Sequence, residues 1–286
     1  MPVDEDKYPE ESGRRRFIKG VVGSATLAGV TVVTGASLNL ATSAPGAGGG
    51  TVEFIGISLI DGPAPRGMPI IPVEIGSDGT LQGLFPEAEE VQQQGRTVTI
   101  AETDVGGTTY SSSWFQYCGV QQYEGTQPGA DAENAFLAKP DGTYEWMSDL
   151  SAGDPLTVDD FSDYEEWGNG IGRDGLGKPA MANWRNTEGG RAMPVQVLRS
   201  PEVSKMANGE GKYSELPGDV QSFIGAATDQ NFMAWLDKCT HFCCVPGFKT
   251  SDYPGGEDAV YCQCHQSIYD PFTPVKEQFV ALPRPD

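Results

Sequence analysis

Two short clusters, Cys239-Thr240-His241-Phe242-Cys243-Cys244 and Cys262-Gln263-Cys264-His265-Gln266-Ser267, stand about twenty residues apart and hold five of the chain's six cysteines and both of its histidines. Each cluster offers one thiol, one imidazole and one further cysteine in matching positions. A Cys-x-His and a Cys-x-x-His on two converging loops gather two soft sulfur ligands and two borderline nitrogen ligands, which is a donor set for a metal. Any fold this chain adopts has to bring these two segments together. A structural zinc site is the non-redox alternative, but its usual spacings are Cys-x-x-Cys and His-x-x-x-His rather than mixed pairs.

What surrounds the clusters reads as all-β. Gly (37) and Pro (21) make up about a fifth of the 286 residues, and long helical periodicity is absent after the first fifty. Short apolar strands such as Val73-Glu-Ile75, Arg96-Thr-Val-Thr-Ile100, Val195-Gln-Val-Leu198 and Asn231-Phe-Met-Ala-Trp-Leu236 are separated by Gly, Pro and Asp, and the last leads directly into the cysteines. The stretch from about 103 to 190 is richer in acids, glycines and aromatics and reads as an insertion. Its Trp114, Trp146, Trp167 and Trp184 are expected to pack its core. A formal charge of -21 excludes nucleic acid as a partner and suits a solvated acidic surface, as in organisms that keep molar salt.

Residues 14 to 19, Arg-Arg-Arg-Phe-Ile-Lys, are followed by an uncharged stretch to Val52. The pattern resembles a twin-arginine export signal, with 1–19 as its n-region and Gly13 where Ser or Thr is usual. Such a pathway carries folded proteins, which suits a cofactor inserted before export. Residues 20–43 predict one hydrophobic signal or anchor helix, with Ala41-Thr-Ser-Ala44 as the alternative cleavage site. Pro45-Gly-Ala-Gly-Gly-Gly50, within a segment 44–52, has the composition of a flexible hinge, and residues 53–286 form the head.

The two clusters together resemble the Rieske iron-sulfur family, whose pattern is Cys-Thr-His-x-Gly-Cys followed by Cys-x-Cys-His-x-Ser. The resemblance implies an antiparallel Rieske-type β-sandwich head with a cluster-binding subdomain in loops 237–274, and one [2Fe-2S] cluster per chain. Cys239 and Cys262 would bind the inner iron, and His241 and His265 the outer iron near the surface. Cys244 and Cys264 would form a disulfide joining the loops, a bond an exported domain can keep. Cys243 replaces the family's Gly. Cys118 and Cys243 then remain, either paired with each other or as buried free thiols, with Cys243 as a lesser candidate for Cys264. Ser267 and Tyr269 would tune the cluster by donating to its sulfurs, and Asp270-Pro-Phe-Thr-Pro274 stands where the family has a shielding proline-bearing loop.

In function, the chain resembles the Rieske subunit of a cytochrome bc-type complex: partners would be a cytochrome b subunit and quinol, with His265 contacting the quinol, and a cytochrome c or blue-copper acceptor. The head would lie outside the cytoplasm, tethered to the cell membrane by the N-terminal helix. A Rieske small subunit of an exported molybdenum oxidase, similar to arsenite oxidase, is the alternative. A ring-hydroxylating oxygenase needs a second iron on two further histidines, and the chain has none to give.

Overall fold

The computed structural model describes residues 50–93, 96–120, 134–185 and 193–281. The export signal, the helix expected over 20–43 and the hinge up to residue 49 lie outside the described residues. Gly50, Thr51 and Val52, the end of the expected hinge segment, open the first strand. Among the described residues no helix is long and apolar enough to cross a membrane.

The first half of the chain carries β1 (Gly50–Asp61), β2 (Met68–Ile71), β3 (Val73–Ile75), β4 (Leu81–Gly83), β5 (Ala88–Gln93), β6 (Arg96–Val105), β7 (Thr108–Ser111) and β8 (Leu137–Ala138). The second half carries β9 (Lys178–Trp184), β10 (Met193–Arg199), β11 (Phe232–Leu236), β12 (Gly247–Phe248), β13 (Val260–Cys262) and β14 (Ser267–Ala281). Two short helices, α1 (Pro201–Asn208) and α2 (Gly218–Ala227), lie between β10 and β11. Nine strands make one antiparallel sheet in the order β12-β13-β14-β1-β2-β11-β10-β9-β8, and β3-β4 and β5-β6-β7 form smaller ladders. The architecture is mostly β, as the sequence predicts.

The long β1–β14 ladder pairs Gly50 with Ala281 at one end and Asp61 with Ile268 at the other. It therefore runs from the two ends of the described head up to the second cysteine cluster. Strands β10 and β11 are apolar at nearly every position and buried on both faces, so they read as continuous runs rather than alternating ones. The expected strand over 195–198 lies in β10 and the one over 231–236 in β11.

The helices are local products of sequence signals. Ser200 caps α1 by accepting from Glu202 N, Pro201 stands in its first turn, and Gly209 ends it in the left-handed region. In α2 the buried residues Val220, Phe223, Ile224 and Ala227 recur at i, i+3, i+4 and i+7, the stripe of a helix laid on a core. Its Phe223 packs on Trp114 with ring centroids 5.5 Å apart.

The acidic segment is less separate than its composition suggests. Its last strand, β9, pairs along its whole length with β10 in the main sheet. Trp114, Trp167 and Trp184 are buried and Trp146 half-buried, so the aromatics do pack a core, but it is the common core rather than one of the insertion's own. Apolar burial of this kind contributes about 25 cal/mol per Å² removed from water.

Candidate metal centre

Both cysteine clusters fold into tight turns of the same design. In the first, Cys239 N donates to Cys244 O at 2.8 Å and Cys243 N to Cys239 O at 2.9 Å. In the second, Cys262 ends β13 and pairs with Ser267 at the start of β14, and Gln266 N donates to Cys262 O at 2.8 Å. The fourth residue after each leading cysteine takes a left-handed conformation: Cys243 at φ 64° and Gln266 at φ 62°. That backbone region is open to glycine and costs other residues about 1–2 kcal/mol, which explains why position 243 is one where a glycine fits.

These turns bring the four expected ligands together in two pairs. Cys239 and Cys262 are free thiols, each 1 % exposed. The rings of His241 and His265 stand 4.7 Å apart, nearly perpendicular. His241 is half-buried and His265 exposed, so the thiols lie inside and the imidazoles toward the surface. Phe242 stands beside both rings, 4.2 Å from His241 and 5.1 Å from His265, and is 67 % exposed.

Three features of this arrangement fit a metal group. His241 Nδ1 is buried without a hydrogen-bond partner, which costs about 1–3 kcal/mol unless something ligates it. The two thiols share a hydrogen bond that favours ionisation of Cys239 and pushes Cys262 up, so the buried pair holds its first negative charge readily. Third, the donors form separate thiol and imidazole pairs. A single tetrahedral zinc needs ligand atoms within about 4 Å of one another, given bond lengths of about 2.0–2.3 Å. The group that satisfies a 4.8 Å spread among the described residues is Cys244, Cys262 and Cys264. Cys244 and Cys264 are bonded to each other, so that trio is no single-ion site. A group with two metal atoms, one for each pair, suits the donor set better.

The remaining four cysteines form two disulfides. Cys244–Cys264 joins the two turns, and Cys118–Cys243 ties the first turn to the segment after β7, across 125 residues. Both are among the pairings expected from the sequence. Next to Cys118, Tyr117 Oη donates to Lys238 O at 3.1 Å.

Tyr269 is fully buried and its Oη donates to Cys239 Sγ at 3.2 Å. Burial, then that bond, pushes its own pKa up, so it remains a donor. Thr240 N donates to the same phenol oxygen at 3.3 Å. Ser267 Oγ accepts from Ala64 N at 3.2 Å.

That last contact belongs to a segment whose role the sequence did not reveal. The expected shield, Asp270–Pro274, lies within β14, where Asp270 pairs with Ser58 and Pro274 with Ile57 and residues 271–273 bulge out between them. A proline-bearing loop that contacts both cysteine turns is the β1–β2 connection, Gly62-Pro-Ala-Pro-Arg-Gly67. Besides Ala64 N, it offers Arg66 O, which accepts from Thr240 Oγ1 at 2.6 Å. Gly62 has φ 96°, and a Cβ there would sit 2.6 Å from Ser267 Cα, so only glycine permits this approach. The loop stands about two hundred residues from the second turn, and its Gly-Pro-x-Pro composition reads as an ordinary turn.

The connection between the two turns is held from beneath. Gln196, buried in β10, accepts from Phe248 N at 3.0 Å and donates to Tyr144 Oη, which in turn donates to Phe248 O at 2.9 Å. Both backbone groups of Phe248 are thereby satisfied by side chains from the main sheet and the acidic segment. Asp237, at the end of β11, is 0 % exposed with both carboxylate oxygens unpartnered, and burial pushes its pKa well up. The sequence offered no sign of it beyond its place after an apolar strand.

Comparison with family models, curated proteins and solved structures finds no match to this chain.

Proposed function

We propose that this chain is a Rieske-type electron carrier whose [2Fe-2S] cluster is held by Cys239 and Cys262 on the inner iron and by His241 and His265 on the outer one, and that it serves a cytochrome bc-type complex. The observation that carries the reading is the pairing itself: two buried thiols left free while four other cysteines are oxidised, beside two imidazoles at the surface, one with a buried orphan nitrogen. The head would then be a Rieske-type β-sandwich, with β12, β13 and the start of β14 in its cluster-binding subdomain.

When bound, the cluster supplies a centre that gains and loses one electron, at potentials of about -150 to +300 mV for this class. The chain's own residues set the conditions. Tyr269 aims its hydroxyl at Cys239 Sγ, where it favours the more negative, reduced state. The two thiols are themselves shut off from water at 1 % exposure each, while His265 is exposed, so that a ring nitrogen not on iron can exchange a proton with a quinol hydroxyl. The acceptor would be a cytochrome c or blue-copper protein, and export through the twin-arginine route would place the head outside the cytoplasm.

Metal and acid-labile sulfide analysis of the purified chain tests the cofactor. Iron and sulfide in equal amounts, both lost together in Cys239→Ser, are expected; zinc at one per chain without sulfide would refute it.

A further inference from the structure

We infer that Arg66 is a fixed positive charge that raises the reduction potential of this centre, with Glu277 as its moderating partner; the inference rests on the Rieske reading. Arg66 ends the loop that lies against both cysteine turns. Its backbone oxygen accepts from Thr240 Oγ1 at 2.6 Å. Thr240 N in turn donates to Tyr269 Oη, and Tyr269 Oη to Cys239 Sγ. Three hydrogen bonds, through Thr240 and Tyr269, therefore connect the backbone of Arg66 to the Cys239 sulfur.

The guanidinium does not point into solvent as an arginine on a turn usually does. It lies over the rings of Phe279 at 3.8 Å, Tyr117 at 4.4 Å and Phe54 at 5.5 Å from their centroids. Three aromatic faces stabilise a cation there. Half-burial lowers its pKa, yet Tyr117, Glu277 and Tyr269 pull the other way, and an arginine stays charged in any case. The charge thus sits in a partly desolvated layer against the ring of Tyr117 and within electrostatic reach of Tyr269, the two phenols that bond the first turn at Lys238 O and Cys239 Sγ. Glu277 accepts from Gly67 N at 2.7 Å and interacts electrostatically with Arg66, so its negative charge opposes that of the guanidinium.

Reduction adds one electron and leaves every proton of these groups in place. As a general scale, two unit charges roughly 10 Å apart in a medium of effective dielectric about 20 change an equilibrium by a factor of roughly ten, and the opposing carboxylate of Glu277 reduces the net effect. Both residues lie away from the ligand set, and neither touches the reacting atoms. They act by field and, for Arg66, by holding Thr240.

The test is a redox titration of the purified, metal-loaded protein followed by the cluster's electron paramagnetic signal, in wild type, Arg66→Gln, Arg66→Lys and Glu277→Gln. Arg66→Gln is expected to lower the reduced-to-oxidised ratio at fixed ambient potential by about three- to tenfold. Arg66→Lys keeps the charge and should stay near wild type, and Glu277→Gln should shift the ratio the opposite way. An unchanged midpoint in Arg66→Gln overturns the inference. Shifts of the same sign in Arg66→Gln and Glu277→Gln also overturn it, since loosening of the loop would act alike in both. If Arg66→Gln does not fold, the lysine and Glu277 variants decide the matter. Absence of the Rieske signal from the wild type is a separate result that overturns the cluster reading and this role together.

Discussion

Replacing Cys118 by alanine and Cys243 by either alanine or glycine separates what a disulfide contributes from what the backbone at position 243 costs. The bond closes a loop of 125 residues, and the chain-entropy relation gives about 4.9 kcal/mol for a closure of that length. C118A/C243A should lose an amount of that order. C118A/C243G loses the same cross-link but relieves the left-handed φ of 64°, a gain of about 1–2 kcal/mol, offset by about 0.4–1 kcal/mol of extra glycine entropy in the unfolded chain. The glycine variant should therefore be the more stable of the two by roughly 0.5–1 kcal/mol. Urea unfolding followed by far-ultraviolet circular dichroism, on metal-loaded proteins without reductant, measures both differences. Metal loss on unfolding is common to all three proteins and cancels. A loss below about 2 kcal/mol in C118A/C243A, under the usual range for a native disulfide, or a glycine variant less stable than the alanine one, would refute the reasoning.

Two further predictions concern buried polar groups. Tyr269→Phe removes the hydrogen bond to Cys239 Sγ and leaves Thr240 N without that phenol. A loss of about 1–1.5 kcal/mol in favour of the oxidised state lowers the midpoint by roughly 40–65 mV, at 59 mV per tenfold for one electron, and potentiometric titration reads it; an unchanged midpoint would count against the bond. Asp237, with a folded-state pKa above its ordinary value of 3.8, binds its proton more tightly when folded. The stability this contributes is complete below the unfolded value and is lost as pH rises toward the folded value, at about 1.4 kcal/mol per pH unit. Asp237→Asn lacks that slope, so its stability relative to wild type should improve from pH 4 toward neutrality; a parallel pair of stability curves would contradict this.

The candidate site was the most legible part of the chain, because the residue types and spacings that suit a metal lie within two short segments. The pairing of Cys244 with Cys264 followed from the resemblance, and Cys118 with Cys243 was one of two readings, since spacing alone says nothing about a partner more than a hundred residues away. The mostly β architecture was legible from short apolar runs between turn residues. Helix α1 was not read from the sequence: its capping signals, Ser200-Pro201-Glu202 and Asn208-Gly209, are present, but at eight residues it is too short to register as periodicity. Charge and glycine content did not show that the acidic segment joins the main sheet, because β9 is defined by its pairing with β10. The loop from Gly62 to Gly67 was missed for the same reason: what makes it part of the site is its contact with Thr240 and Ser267, and no local pattern announces a tertiary contact.

Electron paramagnetic resonance of the reduced protein, followed through a redox titration in membranes with and without an inhibitor of the quinol site, tests the central claim most directly. The account predicts a rhombic signal with average g below the free-electron value, a midpoint within about -150 to +300 mV, and a change in line shape or midpoint when the inhibitor is added. A signal that ignores the inhibitor would contradict the quinol-oxidising role and favour a partner oxidase, and no signal at all from iron-replete protein would contradict the cluster.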